Sequence, residues 1–291
     1  NTALGKNTLS RNTTGSYNTS IGYLTLNQNT TGLLNTSIGT YSMNLNVSGS
    51  FNTTIGASAL YNNTTGSRNI SIGTYSLLSN TTGSDNVSIG FQCLNSSVSS
   101  VENTAVGSYS MHDNISGTSN VAIGFQSMYK STSSMRSTMV GSLTSYNTVS
   151  GSDNSAFGFS ALKNNLSSLN NAFGSESMLA NTSGYENSAY GYRTLFNNIN
   201  GSGNSCFGNY ALFFNISGNS NSAFGNYSLG GITTGNYNTG IGVGSGTTIT
   251  TGSNLTLLGY SSEPSSPTVS NQITLGNNNV TSLRCNVTSI T

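Results

Sequence analysis

Four of the seven acidic residues occupy one recurring position of the chain: Asp85, Glu102, Asp153 and Glu186. Asp85 and Glu102 stand one repeat apart, which in stacked β-structure is about 5 Å, near the separation of the two carboxylates of a retaining glycosidase. Other repeats carry Tyr, Leu or Arg at this position. Arg68, one repeat before Asp85, predicts an ordinary cross-strand ion pair. We therefore interpret the position as a variable, solvated face.

Other reactive side chains are scarce. His112 is the single histidine, so neither a Ser-His-Asp nor a Cys-His arrangement can be assembled from the sequence. Cys93 and Cys206 replace the Ser or Ala of other repeats, which predicts buried thiols, and Cys285 is either free or paired between chains. The Asp-bearing nonapeptide of calcium-binding β-rolls is missing. We expect no enzymatic activity, no cofactor and no metal site.

A 17-residue repeat organises the chain. The residue before each repeating glycine is apolar, and Leu or Met follows the glycine by four residues in thirteen of the first fourteen repeats, with Ser145 as the exception. A column of small residues precedes each of these two apolar columns, and a second glycine, sometimes Ser, lies ten residues after the first. The interval is 17 residues everywhere except between Gly158 and Gly174, where it is 16, in the series Gly5, Gly22, Gly39, Gly56, Gly73, Gly90, Gly107, Gly124, Gly141, Gly158, Gly174, Gly191, Gly208, Gly225, Gly242, Gly259 and Gly276.

The repeat predicts an all-β fold, a parallel β-solenoid of about seventeen 17-residue coils. Each unit provides two short strands and two turns, with glycine where a turn needs positive φ, and stacked units close the core that one unit cannot close. We expect the pre-glycine apolar column in the core and the missing residue of the short coil in the turn near Ser168 and Leu169. Residues 1–259 form the regular solenoid, and 260–291, with both prolines, form degenerate last coils and a C-terminal cap.

Asparagines form two columns. The first lies four residues before the glycine and predicts hydrogen-bonded ladders of stacked amides, at Asn18, Asn35, Asn52, Asn69, Asn86, Asn103, Asn120, Asn154, Asn170, Asn187, Asn204, Asn221 and Asn238. The second lies seven residues after the glycine, each member followed by x-Ser/Thr. In a secretory-pathway chain these are candidate N-glycosylation sites, at Asn12, Asn29, Asn46, Asn63, Asn80, Asn114, Asn165, Asn181 and Asn215. Chance sequons in an Asn-, Ser- and Thr-rich chain are the alternative.

Composition narrows the partners. Only 5% of the 291 residues are charged and the net charge is +1, so neither nucleic acid nor an anionic membrane finds a basic patch. No apolar run approaches the roughly 20 residues that span a bilayer. The two small-residue columns favour close approach of neighbouring rods, so we expect the chain to associate with itself, and a head-to-tail filament is one such arrangement.

The phrases Asn-Thr-Ser-Ile-Gly, Asn-Val-Ala-Ile-Gly and Asn-Ser-Ala-Phe-Gly resemble the head repeats of trimeric autotransporter adhesins. Residues 1 to about 259 are closer still to the "NTAIG…AL…NTTG" repeats of phage and large-virus fibres. The segment from Asn271 to Gly276 and from Val280 to Thr291 resembles the part that precedes the intramolecular chaperone of endosialidase-type fibres, and the chaperone itself is not in this sequence. The resemblance implies a homotrimer of β-solenoids, located extracellularly on a virion or cell surface. The unit is longer than the adhesin head repeat, and its sequon richness is unlike a typical bacterial protein.

Three functions fit the sequence. The first is a structural, glycosylated extracellular fibre or shaft. The second is an adhesin or receptor-binding fibre that recognises host glycans through the aromatic residues that follow the glycines. The third, least favoured, is an ice-binding solenoid with ranks of threonine such as Thr13-Thr14 and Thr30-Thr31, which are interrupted at Val47, Val98 and Ile115.

Overall fold

The computed structural model describes residues 1–282 as a stack of coils, each contributing one short strand to a single parallel sheet. Every strand pairs with the equivalent strand of the next coil in register, so the seventeen strands enclose sixteen turns of chain. Residues 1–282 contain no helix. The all-β parallel solenoid is confirmed. The strands are β1 Thr2–Leu4, β2 Thr19–Ile21, β3 Thr36–Ile38, β4 Thr53–Ile55, β5 Ile70–Ile72, β6 Val87–Ile89, β7 Thr104–Val106, β8 Val121–Ile123, β9 Thr138–Val140, β10 Ser155–Phe157, β11 Asn171–Phe173, β12 Ser188–Tyr190, β13 Ser205–Phe207, β14 Ser222–Phe224, β15 Thr239–Ile241, β16 Leu255–Leu258 and β17 Gln272–Leu275.

From β2 to β15 each strand buries its middle residue, which is small everywhere except at Met139 in β9, and leaves the large residue before the glycine at least partly exposed. In β8 the side chain of Ala122 is fully buried, whereas Ile123, before the glycine, is 39% exposed. Successive strand residues point to opposite faces, so only one of the two can enter the coil. The expectation that the pre-glycine apolar column lies in the core is therefore wrong: the interior at this wall holds Ser or Ala in most coils, and Met139 and Leu257 are among the exceptions. For the same reason the small residues line the coil interior, and they cannot be the seam between rods.

The second apolar column lies in a tightly folded segment and not in a second strand. Leu24 and Leu26 both have positive φ, 54° and 50°, and equivalent residues repeat this in other coils. The N–H of Leu24 donates to the carbonyl of Lys6 in the preceding coil, and that of Leu26 donates to Ser42 in the following coil. Stacking on both sides thus holds a conformation that non-glycine residues rarely adopt. Two strands per coil were predicted, and only one forms.

The two glycine columns serve different purposes. Gly22 has φ 138°, and a Cβ there would overlap the backbone of Gly39. Gly32, from the second column, does not have positive φ, contrary to expectation. The space beside the Cα of Gly32 is filled, because a Cβ there would overlap the Oδ1 of Asn29 and the carbonyl oxygen of Gly49. The second glycine is thus required for close approach and not for its backbone angle.

The core is a single file of Leu and Met side chains flanked by small residues. Leu26, Met43 and Leu60 are fully buried, as are the equivalents in later coils. The coil that has Ser145 in this column carries Met139 in the opposing small column, and both are fully buried. A similar exchange occurs at Gly246, where a Cβ would lie 2.7 Å from Cδ1 of Leu257. A large side chain in one inward-facing column is therefore matched by a small residue in the opposing column, and the volume of the core stays the same.

The short coil loses its residue in a turn. In regular coils two residues separate the second-column asparagine from the glycine, as between Asn12 and Gly15. Between Asn165 and Ser167 only Leu166 remains, and the amide of Asn165 still reaches the carbonyl oxygen of Ser167 at 2.7 Å. The deletion is in the turn, as predicted, but two residues earlier than Ser168 and Leu169.

The last coils exchange amides for apolar side chains. Ile232 and Ile249 take the second asparagine position, Leu255 takes the first, and all three are buried. The segment after Gly259 contains both prolines and still closes onto the coil below, because the N–H of Thr250 donates to the carbonyl of Pro267. This end of the described solenoid therefore has an apolar interior.

The exchange between Met139 and Ser145 predicts a rescue. Met139→Ala should destabilise the rod by about 2–5 kcal/mol, because a buried side chain leaves a cavity. Adding Ser145→Leu should recover much of this loss, since Leu or Met fills that site in other coils. Urea unfolding followed by circular dichroism measures both. Met43→Ala is the matched control, which Ser145→Leu should not rescue; equal rescue of the two variants would contradict the local exchange.

Candidate interaction surface

The first asparagine column is a buried amide ladder. The backbone N–H of Asn35 and its Nδ2 both donate to Oδ1 of Asn18, at 3.0 and 3.1 Å. The same pair of bonds links Asn52 to Asn35 and repeats through successive coils. Ser137 replaces one rung, and its N–H still donates to Oδ1 of Asn120. Each rung thus satisfies a buried amide with its neighbours.

The second asparagine column is also a buried ladder. Nδ2 of Asn46 donates to Oδ1 of Asn29 at 2.7 Å, and Nδ2 of Asn63 donates to Oδ1 of Asn46 at 2.8 Å. Of the nine candidate glycosylation residues, only Asn12, in the first coil, is partly exposed; the others are fully buried, namely Asn29, Asn46, Asn63, Asn80, Asn114, Asn165, Asn181 and Asn215. A glycan on Nδ2 would displace these bonds and occupy the coil interior. Burial in the folded rod therefore argues against these residues as glycosylation sites, and favours the alternative that their sequons arise by chance.

The two ladders meet at the second glycine column. The carbonyl oxygen of Gly49 accepts from Nδ2 of Asn35 and from Nδ2 of Asn46, each at 2.9 Å. The carbonyl oxygen of Gly66 accepts in the same way from Asn52 and Asn63. One turn carbonyl per coil is therefore held by an amide from each ladder, which fixes the turn between them.

Serine replaces asparagine and glycine together. Ser97 and Ser100 occupy the two positions in one coil, and Ser131 and Ser134 occupy them in another. The hydroxyls of Ser97 and Ser100 share a short hydrogen bond. Loss of the asparagine removes one of the two overlaps that a Cβ makes in other coils, the one with Oδ1, and leaves only the carbonyl oxygen of the next coil to be avoided. The ladder is interrupted as a result, and Oδ1 of Asn80 is buried without a hydrogen-bond partner.

Exposed sequons lie elsewhere. Asn200, Asn226, Asn254 and Asn279 each begin an Asn-x-Ser/Thr triplet and are exposed. None belongs to either ladder column. The triplet alone could not separate them from the buried set, because both sets share the same three-residue pattern. Their irregular position within the repeat was the available signal.

The acidic column forms ion pairs and hydrogen bonds along the surface. Arg68 binds Asp85 through two bonds of 2.6 and 2.7 Å, as predicted, and Arg136 binds Asp153 likewise. The guanidinium of Arg68 lowers the pKa of Asp85. This contribution to stability is therefore present above the ordinary carboxyl pKa and is lost as the pH falls through the lowered value. Glu102 accepts from the hydroxyl of Ser119 at 2.9 Å. The partner of the Asp85 carboxylate is therefore the guanidinium of Arg68.

The cysteines and His112 have local partners. Cys93 and Cys206 are free, fully buried thiols in the small-residue columns, and burial raises the pKa of Cys93 to about 12. Nδ1 of His112 lies 2.6 Å from Oδ1 of Asp113, and its ring stacks on Tyr129. Cys285 lies outside the described residues. Among residues 1–282 no three His, Cys, Asp or Glu side chains are close enough to hold a metal ion.

The first threonine of each rank bonds within the rod. The hydroxyl of Thr30 donates to the carbonyl of Val47 at 3.0 Å, and that of Thr64 donates to Thr81 at 2.9 Å. These hydroxyls therefore form hydrogen bonds between successive coils. Because they are engaged by carbonyls, they are poorly placed to order a layer of water.

Aromatic residues after the glycines form a band that packs against itself. Tyr23 meets Tyr41 edge to face at 5.5 Å, and Phe91 meets Tyr109 at 5.3 Å. Tyr109 also contacts Phe125. These rings remain about 40–50% exposed at Tyr23, Phe91 and Phe125. The band offers hydrophobic and phenolic surface on one side of the rod.

The outward side chains of the strands form a continuous surface along the rod, which we call the strand face. It comprises the residues one and three before each repeating glycine, as Thr19 and Ile21 in β2. None of its 34 residues is charged. Ile55, Phe207 and Ile241 are 41–46% exposed. The alternation of large, small and large residues in Thr-Ser-Ile was the signal for this face, since a small residue between two large ones marks a narrow interior wall.

Part of the strand face is a stack of aromatic rings. Phe157, Phe173, Tyr190, Phe207 and Phe224 lie in successive coils with centroids 4.6–5.1 Å apart and planes within 13° of parallel. Because each ring covers the face of the next, the edges are what the stack presents outward. Stacking of a sugar ring on these aromatic faces is thereby disfavoured.

Comparison with known proteins yields no relative. No protein-family model, no curated protein and no solved structure matches this chain. Within residues 1–282 there is no helix long and apolar enough to cross a membrane.

The linked serine replacements predict coupling between Asn63 and Gly66. Gly66→Ser alone should destabilise the rod, because the new Cβ overlaps Oδ1 of Asn63. Asn63→Ser alone should destabilise it by removing ladder bonds. The double variant should be more stable than the sum of the two effects predicts, by about 0.5–3 kcal/mol. Urea unfolding of all four proteins measures the coupling. Gly66→Ser with Asn29→Ser, two coils away, is the control, and strict additivity in both cycles would refute the explanation.

Burial predicts where glycans can be attached. If the chain passes through a secretory pathway, occupied sites should include Asn200, Asn226, Asn254 or Asn279 and exclude Asn29, Asn46 and Asn63. Intact-glycopeptide mass spectrometry of folded protein from a secreting eukaryotic host measures this. High occupancy at the buried ladder residues would contradict the ladder, because Nδ2 cannot carry a glycan and keep its bonds.

Proposed function

We propose that the chain is a structural shaft of an extracellular fibre on a virion or cell-surface appendage. The observation that carries this proposal is the uninterrupted stack of equivalent coils, held by two amide ladders. Sixteen inter-strand steps of about 4.8 Å give a rod about 77 Å long. A stack of equivalent, hydrogen-bonded coils is suited to a long, stiff shaft.

The surface chemistry supports the same role. The few charged residues include two exposed Arg–Asp pairs, and the rest of the chain is dominated by small polar side chains. Such a surface has little attraction for nucleic acid or anionic lipid. Glycans on Asn226, Asn254 or Asn279 would lie outside the coils and leave the ladders intact.

Self-association is part of the proposal. A homotrimer is what the resemblance to adhesin heads and fibre shafts implies, and a head-to-tail filament is the alternative. The uncharged strand face supports association between copies, since extended exposed apolar strips usually mark interfaces.

A glycan-recognising fibre is the second candidate, favoured by the aromatic band around Tyr109. Exposed rings beside phenolic hydroxyls are suited to sugars. The third candidate, ice binding, is less favoured because the hydroxyls of Thr30 and Thr64 are engaged within the rod.

The shaft proposal is tested by imaging and localisation. Negative-stain microscopy of the purified chain should show straight, unbranched rods, and gold-labelled antibodies against it should decorate projections from the native particle or cell. Labelling confined to the interior of cells would overturn the proposal. A glycan array probed with the wild type and with Tyr109→Ala separates the second candidate: binding lost only in the variant would favour recognition of sugars.

A further inference from the structure

Residue size is balanced across the strand face. Wherever the residue before the glycine is aromatic, the residue two places earlier is Ser or Asn. This holds in all five such coils, in the pairs Ser155 with Phe157, Asn171 with Phe173, Ser188 with Tyr190, Ser205 with Phe207 and Ser222 with Phe224. A large residue is therefore always accompanied by a small one.

The remaining twelve coils keep the other combination. There the residue before the glycine is Ile, Val or Leu, and its companion is always Thr, Val or Ile, as in Thr36 with Ile38 and Val121 with Ile123. Both columns point away from the coil interior, so the packing of the core does not require this balance. Water does not require a constant surface height either. A solid surface packed against the face would favour this balance.

A second copy supplies that surface in one arrangement. Consider two rods facing each other across a two-fold axis parallel to their length. The strands then run in opposite directions across the interface, so the pre-glycine column of one copy lies opposite the companion column of the other, at the same coil. Phe207 faces Ser205 of the second copy, and Ile38 faces its Thr36. The large residue of one copy therefore lies opposite the small residue of the other, so the two strand faces are complementary in shape.

Other arrangements lose this match. In an antiparallel pair the strands of the two copies run in the same direction, so each column would face the same column of the second copy. The aromatic stack, in coils ten to fourteen, would then face the pre-glycine Ile and Val residues of coils four to eight, such as Ile72 and Ile89. Around a three-fold axis, the column nearest the axis would meet its own copies, so aromatic would meet aromatic. Neither arrangement explains why size is balanced between the two columns of the same coil.

The area is adequate for a stable pair. The face is about 77 Å long and about 10 Å wide, so flat contact covers on the order of 800 Å² per chain, the size of a standard interface. The face carries no charge that burial would leave unpaired.

We propose that the strand face joins two copies of this chain as a parallel, in-register, two-fold pair, with the aromatic stack as the element that fixes register. This inference rests on the proposed shaft function and names its partner, but a shaft made of single or three-fold rods would survive its failure.

Column-swap variants test the pairing. Ser205→Phe should raise the dimer dissociation constant about tenfold or more, because Phe then faces Phe207 of the second copy. The double variant Ser205→Phe/Phe207→Ser should restore most of the affinity, since large again faces small. Ser183→Phe, at an exposed position outside the face, is the matched control and should leave the dimer intact. Sedimentation equilibrium measures the association, and circular dichroism confirms that each variant is folded.

Spin labels test the direction. Thr31→Cys and Thr234→Cys, each in a Cys285→Ser background, place labels at exposed positions near either end, while Cys93 and Cys206 stay buried. In the parallel pair the two Thr31 labels lie at one level of the rod, and so do the two Thr234 labels. In an antiparallel pair each set is separated along the rod. Pulsed electron resonance distances decide between them.

The outcomes are separable. A dimer with same-level labels and a restored column swap supports the inference. A monomer, a trimer or an antiparallel dimer overturns it. A monomer would mean that each aromatic ring merely leans over its own serine, and straight rods in the microscope would still support the shaft.

Discussion

Hydrogen bonds between side-chain amides of successive coils are the constraint on which the remaining structure depends. Each ladder asparagine must lie one rung from the next, and Asn35 and Asn46 must both reach the carbonyl of Gly49. An insertion inside this clamp would separate the donors from their acceptor. This explains why the 17-residue period is kept so strictly, and why the one deletion falls beside Leu166, in the turn that the amides of Asn154 and Asn165 still close.

The narrow interior is the second determinant. A coil with one file of Leu or Met and two walls of small residues has no spare volume, so changes occur in matched sets. Met139 accompanies Ser145, Leu257 fills the space beside Gly246, and Ser97 accompanies Ser100. In a close-packed interior, an unmatched change leaves a void or an overlap. The chain therefore varies its sequence by exchange between neighbours while each coil keeps the same cross-section.

The sequence predicted the architecture well because the glycine period, the buried Leu and Met column and the stacking asparagines all recur at one interval. The prediction from sequence was wrong where two positions fit the same sequence pattern but differ in burial. Alternation shows that Ser20 and Ile21 face opposite ways, but not which of them faces inward, and the size of the coil decides that in favour of Ser20. Asn29 and Asn254 both begin sequons, and only stacking shows that Asn29 is inside. The strand face was missed because its residues were assigned to the core.

The ladders also make the rod electrically polar. In both columns Nδ2 of each asparagine donates to Oδ1 of the preceding coil, as from Asn46 to Asn29 and from Asn35 to Asn18. The strands run across the rod, so their dipoles contribute little along its length, whereas these amide dipoles all point along the rod in the same direction and add, as peptide dipoles do in a helix. The donors point toward the N-terminal end and the carbonyl oxygens toward the C-terminal end. Copies aligned side by side in parallel would superpose these dipoles, so a bundle of such rods would carry a lengthwise field whose positive pole is at the N-terminal end.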